Sequence, residues 1–313
     1  MDNKVNKTER ILKIYTALIE DDKVNKDKLA NEFKVNVRTI QRDIDDIRSF
    51  LANDQNSDNV KYSRSDKKYH LENLNKAKFT NSESLAICKI LLSSRAFKKE
   101  EMTNILEKFL ENCVSKSDKP SIDYLIRNEK HYYNELKHKK SFMNMMWEIG
   151  EAIRKKSYVE IEYEKPNKKI VTRKLKPITI MFQEFYFYLT AFIEDKNLKE
   201  NFTVKNDDFP TIYRIDKIKK VTLLPQQYIV NYSTKFDEKK YRDRIQFMYG
   251  GKLRKLEFTY TGPDVNYILD KLPTATLKKI SNNEYLITAE VFGIGIDMWL
   301  KSQDAYIRDV KLI

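Results

Sequence analysis

Residues 24–48, VNKDKLANEFKVNVRTIQRDIDDIR, constrain the fold of this chain most, because they predict two short helices joined by a tight turn. Leu29, Ala30 and Phe33 share one face of the first helix. Asn36 is placed to cap the second helix, in which apolar residues recur at i, i+4 and i+7, namely Ile40, Ile44 and Ile47. That apolar stripe must face a core, so the first turns of the second helix present polar side chains to solvent.

These outward side chains are of the types that bind DNA. The set comprises Asn36, Arg38, Thr39, Gln41 and Arg42. Guanidinium, amide and hydroxyl groups at the start of a helix suit phosphates and base edges in a major groove. An ordinary amphipathic helical hairpin with a solvated basic face is the alternative interpretation.

The segment that follows favours DNA binding over this alternative. Residues 60–72, VKYSRSDKKYHLE, predict a strand, a polar turn and a second strand, which together are the wing of a winged helix-turn-helix. The tip of this wing carries Arg64, Lys67 and Lys68. With a first helix over residues 8–19, the sequence predicts a winged helix-turn-helix DNA-binding domain in residues 1–75.

Length and charge indicate that this head is only one part of the protein. A chain of 313 residues is too long for one compact core and predicts several domains. The net charge of +13 is compatible with a polyanionic partner. Residues 137–176 contain 12 Lys and Arg against 5 Asp and Glu, so a second basic surface is expected outside the head.

The rest of the chain predicts three further parts and a multidomain α+β fold. A Thr80/Glu83 capping box opens a helical connector over residues 76–140. One helix and five short alternating strands then predict a small, strongly curved Sm/SH3-like β-barrel in residues 141–230. The order strand–helix–strand–strand–helix–strand predicts a C-terminal ferredoxin-like α/β sandwich in residues 231–313.

Arg173 is an anomaly within the predicted barrel. Strict alternation places it with Val171 and Leu175 on the apolar face of its strand. A charge there costs several kcal/mol unless it is paired or opens onto a pocket. The other face of the strand carries Lys174 and Lys176, which we expect to neutralise the glutamate face of the neighbouring strand, namely Glu160, Glu162 and Glu164.

Three segments follow one another in a fixed order behind the winged head. They are Arg173-x-Leu175-x-Pro177, Phe187-Tyr188-Leu189 and Tyr213-Arg214-Ile215-Asp216-Lys217-Ile218. Because of these segments and the winged head, the whole chain resembles the bacterial WYL-domain transcriptional regulators. Members of that family have a DeoR-like winged head, a helical linker, a WYL barrel and a WCX-type C-terminal extension. Phe187 stands where that family has tryptophan, and Lys217 stands where it usually has arginine, so a bidentate phosphate contact is weakened there.

The resemblance implies an effector sensor. Its WYL domain would bind a nucleic-acid or nucleotide effector, such as single-stranded DNA, and pass the signal to the head. The effector-binding residues implied are Tyr163, Arg173, Tyr188, Arg214 and Lys217. A barrel-wall role for Tyr188 and an Arg214–Asp216 salt bridge remain alternatives, and genes of phage defence or of the DNA-damage response are candidate targets.

Nothing in the sequence indicates an enzyme. The three histidines and two cysteines lack metal or disulfide spacing, and we find no phosphate loop and no nucleophile with a base. We therefore expect no catalytic residue, no metal and no cofactor. Trp147 and Trp299 are expected in the core. The polar N-terminus without a signal peptide predicts a cytoplasmic protein with no membrane partner.

Two functional hypotheses remain open. The first is a sequence-specific transcriptional regulator that binds double-stranded operator DNA and whose operator binding an effector modulates. The second is a nucleic-acid-binding accessory protein that bridges strands through two basic surfaces without regulating transcription. We also expect a homodimer, because one winged head offers a single reading helix and two-fold pairing of half-sites is the usual route to operator affinity.

Overall fold

The computed structural model describes residues 5–19, 23–53, 59–72, 79–115, 117–195, 210–229 and 237–313. The chain forms two compact units. One comprises Met1–Ser93 with Lys99–Asn134, and the other Ser94–Lys98 with Glu135–Ile313. The finer division into four domains remains a prediction, and its boundaries at residues 75/76 and 230/231 lie outside the described residues.

The first unit begins with three helices and a two-stranded hairpin. These are α1 (Lys7–Ile19), α2 (Lys26–Glu32), α3 (Val37–Asn53), β1 (Asn59–Ser63) and β2 (Lys68–Glu72). The apolar stripe predicted for α3 is confirmed, because Ile40, Ile44 and Ile47 are all buried in the core of this head. Val24 pairs with Tyr69 just before α2 and so ties that helix to the wing.

Three more helices complete the first unit. They are α4 (Asn81–Ser94), α5 (Lys99–Cys113) and α6 (Lys119–His131). The predicted capping box is present, since the Thr80 N–H donates to the Glu83 carboxylate at 2.9 Å and the Glu83 N–H donates to the Thr80 hydroxyl at 3.3 Å. The backbone hydrogen bond from Thr80 lowers the pKa of Glu83. The last helix ends at His131, before the end of the helical connector expected over residues 76–140.

The second unit opens with α7 (Met143–Lys155) and a five-stranded antiparallel sheet. Its strands are β3 (Ser157–Glu164), β4 (Ile170–Gln183), β5 (Tyr186–Ile193), β6 (Thr211–Arg214) and β7 (Ile218–Gln227). The order is β6-β5-β4-β3-β7, and one 3-10 turn, Ile215–Lys217, joins the two edge strands. Within the described part of the chain β6 and β7 do not pair, so the predicted closed barrel is not confirmed.

One face of α7 packs on this sheet, and this explains one wrong expectation. Ile149 and Ala152 are fully buried against strand residues such as Val159 and Leu189. Trp147 was expected in the core, yet its side chain is 72% exposed. It lies two positions before Ile149, which is about 200° around an α-helix, so it points away from the sheet. Trp299 does pack against a core, as expected.

The C-terminal part contains α8 (Glu238–Arg244), β8 (Leu253–Tyr260), α9 (Asn266–Lys271), β9 (Thr276–Ser281), β10 (Glu284–Phe292), α10 (Gly295–Ser302) and β11 (Ile307–Leu312). Its antiparallel sheet has the order β11-β8-β10-β9. From β8 onward the elements follow the predicted strand–helix–strand–strand–helix–strand order. Across the described ranges the fold is mixed α/β, with ten α-helices and three antiparallel sheets, and none of these helices is long and apolar enough to cross a bilayer.

Candidate nucleic-acid interfaces

The N-terminal turns of α3 form the first candidate interface. The Asn36 carboxamide oxygen accepts the Arg38 N–H at 2.9 Å, so Asn36 caps the helix as predicted. Arg38 and Arg42 lie one turn apart, and both side chains are exposed. Thr39 is half-buried. Two guanidinium groups on one exposed edge of a helix suit the paired acceptors of guanine or neighbouring phosphates.

The Gln41 side chain already has hydrogen-bond partners within the protein, which its position in the sequence did not indicate. Its carboxamide oxygen accepts the Tyr69 hydroxyl at 2.8 Å, and its nitrogen donates to Asp45 at 3.2 Å. A carboxamide has two donor hydrogens, so one remains for a base edge. The bond from Tyr69 holds the amide in a fixed orientation and links α3 to β2.

The predicted wing is confirmed as a hairpin, and its tip is anchored. Residues of β1 and β2 pair in register, with Val60 opposite Leu71 and Ser63 opposite Lys68. Arg64 and Lys67 are exposed, whereas Lys68 is half-buried. The Asn25 side chain donates to the Lys67 carbonyl at 3.0 Å.

An ion pair also fixes the wing turn. Lys23 donates to the Asp66 carboxylate at 2.8 Å, and this hydrogen bond lowers the pKa of Asp66 to about 2. The turn is therefore tied to the segment that precedes α2, while the side chains of Arg64 and Lys67 remain available for phosphates.

Arg214 organises the second candidate interface, which lies at one end of the five-stranded sheet. Its guanidinium forms two hydrogen bonds with Asp216, at 3.0 Å and 2.8 Å, and stacks 3.5 Å from the centroid of the Tyr186 ring. The salt-bridge alternative for Arg214 is thus realised. Burial opposes the charge of Arg214, but the hydrogen bond to Asp216 and the charges of Asp216, Tyr186 and Tyr188 together outweigh it, so the Arg214 pKa is raised.

Tyr188 lies directly opposite Arg214 across β5 and β6. Partial burial raises the pKa of Tyr188 to about 12, so its hydroxyl remains a hydrogen-bond donor at neutral pH. The rings of Tyr186 and Tyr188 are 6.4 Å apart and nearly perpendicular. This pair of tyrosines beside a fixed guanidinium could stack an unpaired base.

Arg173 lies elsewhere on the sheet. It is opposite Ile161 on β3, and within the described residues it donates only to the carbonyl of its own neighbour, Thr172, at 2.9 Å. Among the described residues it pairs with no carboxylate. Its charge acts on Tyr213, whose pKa burial nevertheless raises, and Tyr213 stacks edge-on against Tyr163 at 5.0 Å.

The structure brings Tyr163 and Tyr188 close to Arg214, but it places Arg173 and Lys217 in separate groups. Tyr213 and Arg214 are consecutive on β6 and point to opposite faces, so Arg173 lies by the face that carries Tyr213 and Tyr163. Within the described residues no contact joins Arg173 to Tyr188 or Lys217. Their convergence on one pocket remains a prediction.

Lys217 belongs to a group of lysines around Glu164. The ammonium groups of Lys217 and Lys219 lie 3.8 Å and 2.5 Å from the Glu164 carboxylate. Lys140 donates to the Asp216 carbonyl at 2.7 Å. Burial lowers the pKa of Lys140, and the nearby charge of Lys219 lowers it further.

The predicted pairing of glutamate and lysine faces is only partly correct. Glu160 lies opposite Lys174 on β4, as expected. Glu164 instead pairs with Lys219, because β7 lies on the other side of β3 and supplies that lysine. Lys174 and Lys176 lie over the rings of Tyr158 and Tyr228, respectively, each at 5.0 Å.

Sequence reasoning missed several residues of the second interface. They are Lys140, Tyr186, Lys219 and Glu164, the last as the ion-pair partner of Lys219. Lys140 lies in the basic stretch 137–176, which predicted a second basic surface but did not indicate which of its lysines take part. Asp216 was recognised as a possible partner of Arg214, although its place in a 3-10 turn was not.

Comparison with protein-family models identifies two domains. Residues 10–53 match an HTH domain, and residues 145–223 match a WYL domain. The first contains α2 and α3, and the second contains α7 and most of the five-stranded sheet. No curated protein matches the chain.

Two solved structures are similar to the chain at low identity. Proteasome accessory factor B/C (PafBC) of Arthrobacter aurescens is 12% identical, with a TM-score of 0.29, over 91% of this chain and 41% of that chain. A CRISPR Cas-related protein is 16% identical, with a TM-score of 0.35, over 75% of this chain and 69% of that chain. The chain thus spans less than half the length of the first of these structures.

Proposed function

We propose that this WYL-domain HTH regulator binds operator DNA with its winged head and senses a nucleic-acid or nucleotide effector, such as single-stranded DNA, with its WYL domain. Two matched domains support this proposal, the HTH domain over residues 10–53 and the WYL domain over residues 145–223. Effector binding would change operator affinity, and phage-defence or DNA-damage-response genes are the targets that we propose. We also propose that the five strands curve into an Sm/SH3-like barrel, which the single 3-10 turn between β6 and β7 supports.

The Arg214 network is the observation that carries the sensing role. A guanidinium fixed by Asp216 and stacked on Tyr186, next to the Tyr188 hydroxyl, combines cationic and aromatic groups in one place. Single-strand binding proteins use this combination, because every base has a face that stacks and every backbone unit has a phosphate. A purely structural cluster would not require the neighbouring lysines.

The test has two steps on the full chain. An operator is first selected from random double-stranded DNA, and its affinity is then measured with increasing single-stranded oligonucleotide or nucleotide. A saturable change in operator affinity that Tyr188→Ala abolishes is the expected result. The Tyr124→Ala variant, which removes an exposed tyrosine of α6, is the matched control.

The alternative function is a nucleic-acid-binding accessory protein that bridges strands. It requires that the head and the WYL domain bind their nucleic acids independently. Operator affinity would then stay constant at every oligonucleotide concentration, and no enriched operator sequence would emerge from the selection. Either finding would refute regulation.

A further inference from the structure

Three lysines from different parts of the second unit lie near one carboxylate, that of Glu164. Lys140 precedes α7, Lys217 ends the 3-10 turn and Lys219 lies on β7. Lys217 and Lys219 both form ion pairs with Glu164. The nearby Asp216 carboxylate is already bound by Arg214, so this group carries an excess of positive charge.

The geometry holds these ammonium groups together in spite of their repulsion. The Asp216 carbonyl fixes Lys140 at 2.7 Å, and Glu164 holds Lys219 at 2.5 Å. Partial burial lowers the pKa of Lys140, and the charges of Lys219 and Lys217 lower it further. An additional anion at this position would relieve that repulsion.

Glu164 marks where such an anion can lie. Its side chain is only 20% exposed, and the hydrogen bond from Lys219 lowers its pKa, so it is ionised at neutral pH. A carboxylate that contacts two ammonium groups occupies the position that a phosphate oxygen would take. An incoming phosphate would therefore compete with Glu164 for the lysines.

We propose that Lys140, Lys217 and Lys219 form a subsite for a terminal phosphate of the effector. A terminal phosphate carries about −1.5 to −2 charges at pH 7, whereas a phosphodiester within a strand carries one. Three lysines against one glutamate match the dianion better than a phosphodiester. This inference rests on the proposed function, because it specifies that the sensed nucleic acid is a phosphorylated end.

The subsite adjoins the groups that would hold the adjacent base. Lys217 follows Asp216 directly, and Asp216 holds the guanidinium that stacks on Tyr186. A nucleotide whose base stacks at Tyr186 or Tyr188 would place its phosphate towards the lysines. A strand interior presents the same bases without the dianion, so the lysines would distinguish ends from interiors.

The experiment compares short single-stranded DNA of one sequence with a 5′-hydroxyl, a 5′-phosphate or a 3′-phosphate, using fluorescence anisotropy on the full chain. We expect one phosphorylated end to bind about tenfold more tightly than the hydroxyl end. A nucleoside monophosphate added as a competitor shows whether a free nucleotide suffices. Comparison of the two phosphorylated oligonucleotides identifies which end is bound.

Three test variants and one control link that difference to the subsite. Lys140→Ala and Lys219→Ala should each reduce the preference for the phosphorylated end to near one. Lys220→Ala is the matched control, since this lysine follows Lys219 on β7 but lies across from Glu162 and forms no ion pair with Glu164 among the described residues. Glu164→Gln removes the competing carboxylate and should tighten binding of the phosphorylated end.

The outcomes separate this inference from the function on which it rests. Equal affinity for the hydroxyl and phosphorylated ends refutes the subsite and leaves nucleic-acid sensing intact. A preference that survives in both Lys140→Ala and Lys219→Ala also refutes it. Absence of binding by every oligonucleotide and by the monophosphate refutes both proposals.

Discussion

Arg10 of α1 and Asp43 of α3 form a buried, bidentate salt bridge inside the winged head. Their nitrogen–oxygen distances are 2.5 Å and 3.1 Å, and both side chains are almost fully enclosed. Asp43 follows Arg42 directly, so the pair fixes the rotation of α3 at the point where its exposed arginines face solvent. Removal of either partner would leave an uncompensated charge in the core.

We therefore predict that Arg10→Ala lowers the free energy of unfolding of the head by about 3–5 kcal/mol. Lys7→Ala is the matched control, because Lys7 and Asp46 join the same two helices through an exposed pair. That variant should lose about 0–1 kcal/mol. Urea unfolding of the full chain measures both, and equal losses would contradict the prediction.

Arg38 and Arg42 should determine operator specificity. Replacement of either residue by alanine is expected to cost about 1–3 kcal/mol of operator affinity if it contacts a guanine. Affinities for the selected operator and for scrambled DNA provide the measurement. An Arg38→Ala/Arg42→Ala double variant that retains wild-type operator binding would exclude this role for α3.

Lys67 in the wing should contribute to affinity for DNA in general, unlike Arg38 and Arg42, which should determine specificity. Its side chain is exposed while its carbonyl is anchored by Asn25, so we expect a phosphate contact. Lys67→Ala should weaken binding to all DNA sequences alike and reduce the dependence of affinity on salt. Lys13→Ala, in an exposed pair with Glu9 on α1, serves as the control.

Arg173 should be needed for the effector response but not for stability. It has no carboxylate partner among the described residues, so Arg173→Ala strands no buried charge. The variant should keep its melting temperature and its operator affinity while it loses the effector response. A large loss of stability with a surviving effector response would mean that Arg173 has a structural role.

Arg214→Ala, unlike Arg173→Ala, should lower the stability of the protein. It would leave the Asp216 carboxylate, which is 3% exposed, buried without its guanidinium partner. The free energy of unfolding should decrease by about 3–5 kcal/mol. Parallel melting curves of the two variants make this comparison, and similar curves would contradict the assignment of Arg214 as the ion-paired arginine.

His138 should make the second unit less stable in mild acid. Burial lowers its pKa below 6.5, and the charges of Arg214, Lys140 and Lys217 lower it further, although Asp216 acts in the opposite direction. As the pH falls through 6.5, the unfolded chain binds a proton before the folded chain does, so the free energy of unfolding decreases. The neutral ring also accepts the Lys140 N–H at 3.0 Å, which a protonated ring could not do.

The His138→Gln variant tests whether His138 makes the protein less stable as the pH falls. It should lose less stability than the wild type between about pH 8 and about pH 5.5 in urea unfolding. His131→Gln changes an exposed histidine and should follow the wild-type curve. A steeper loss in His138→Gln than in the wild type would reverse the assignment.

We predict a homodimer that binds two half-sites roughly 34–36 Å apart, or a multiple of that distance. The edge strand β11 is exposed along almost its whole length and is a candidate contact surface, as is the helical connector. Light scattering at micromolar concentration should give twice the chain mass. A monomeric mass together with footprints that lack two-fold symmetry would refute the prediction.

Features that involve residues close together in sequence could be predicted well. The Asn36 cap and the Thr80/Glu83 capping box depend on hydrogen bonds across two or three residues, and both are present. The buried stripe of α3 follows from the helical repeat alone. Trp147 could not be placed in this way, because apolar neighbours do not reveal which face of α7 meets the sheet.

The sequence by itself determined the winged head, the alternation of the strands and the order of the WYL segments, because backbone geometry over a few residues fixes each of them. Only the tertiary structure decided which charges pair. Arg214 pairs with Asp216, whereas Arg173 pairs with no carboxylate in the part of the chain that the structure describes, and Glu164 pairs with Lys219 from a strand that begins more than fifty residues later. Such pairings depend on strand register, in which a shift of one residue moves every side chain to the other face.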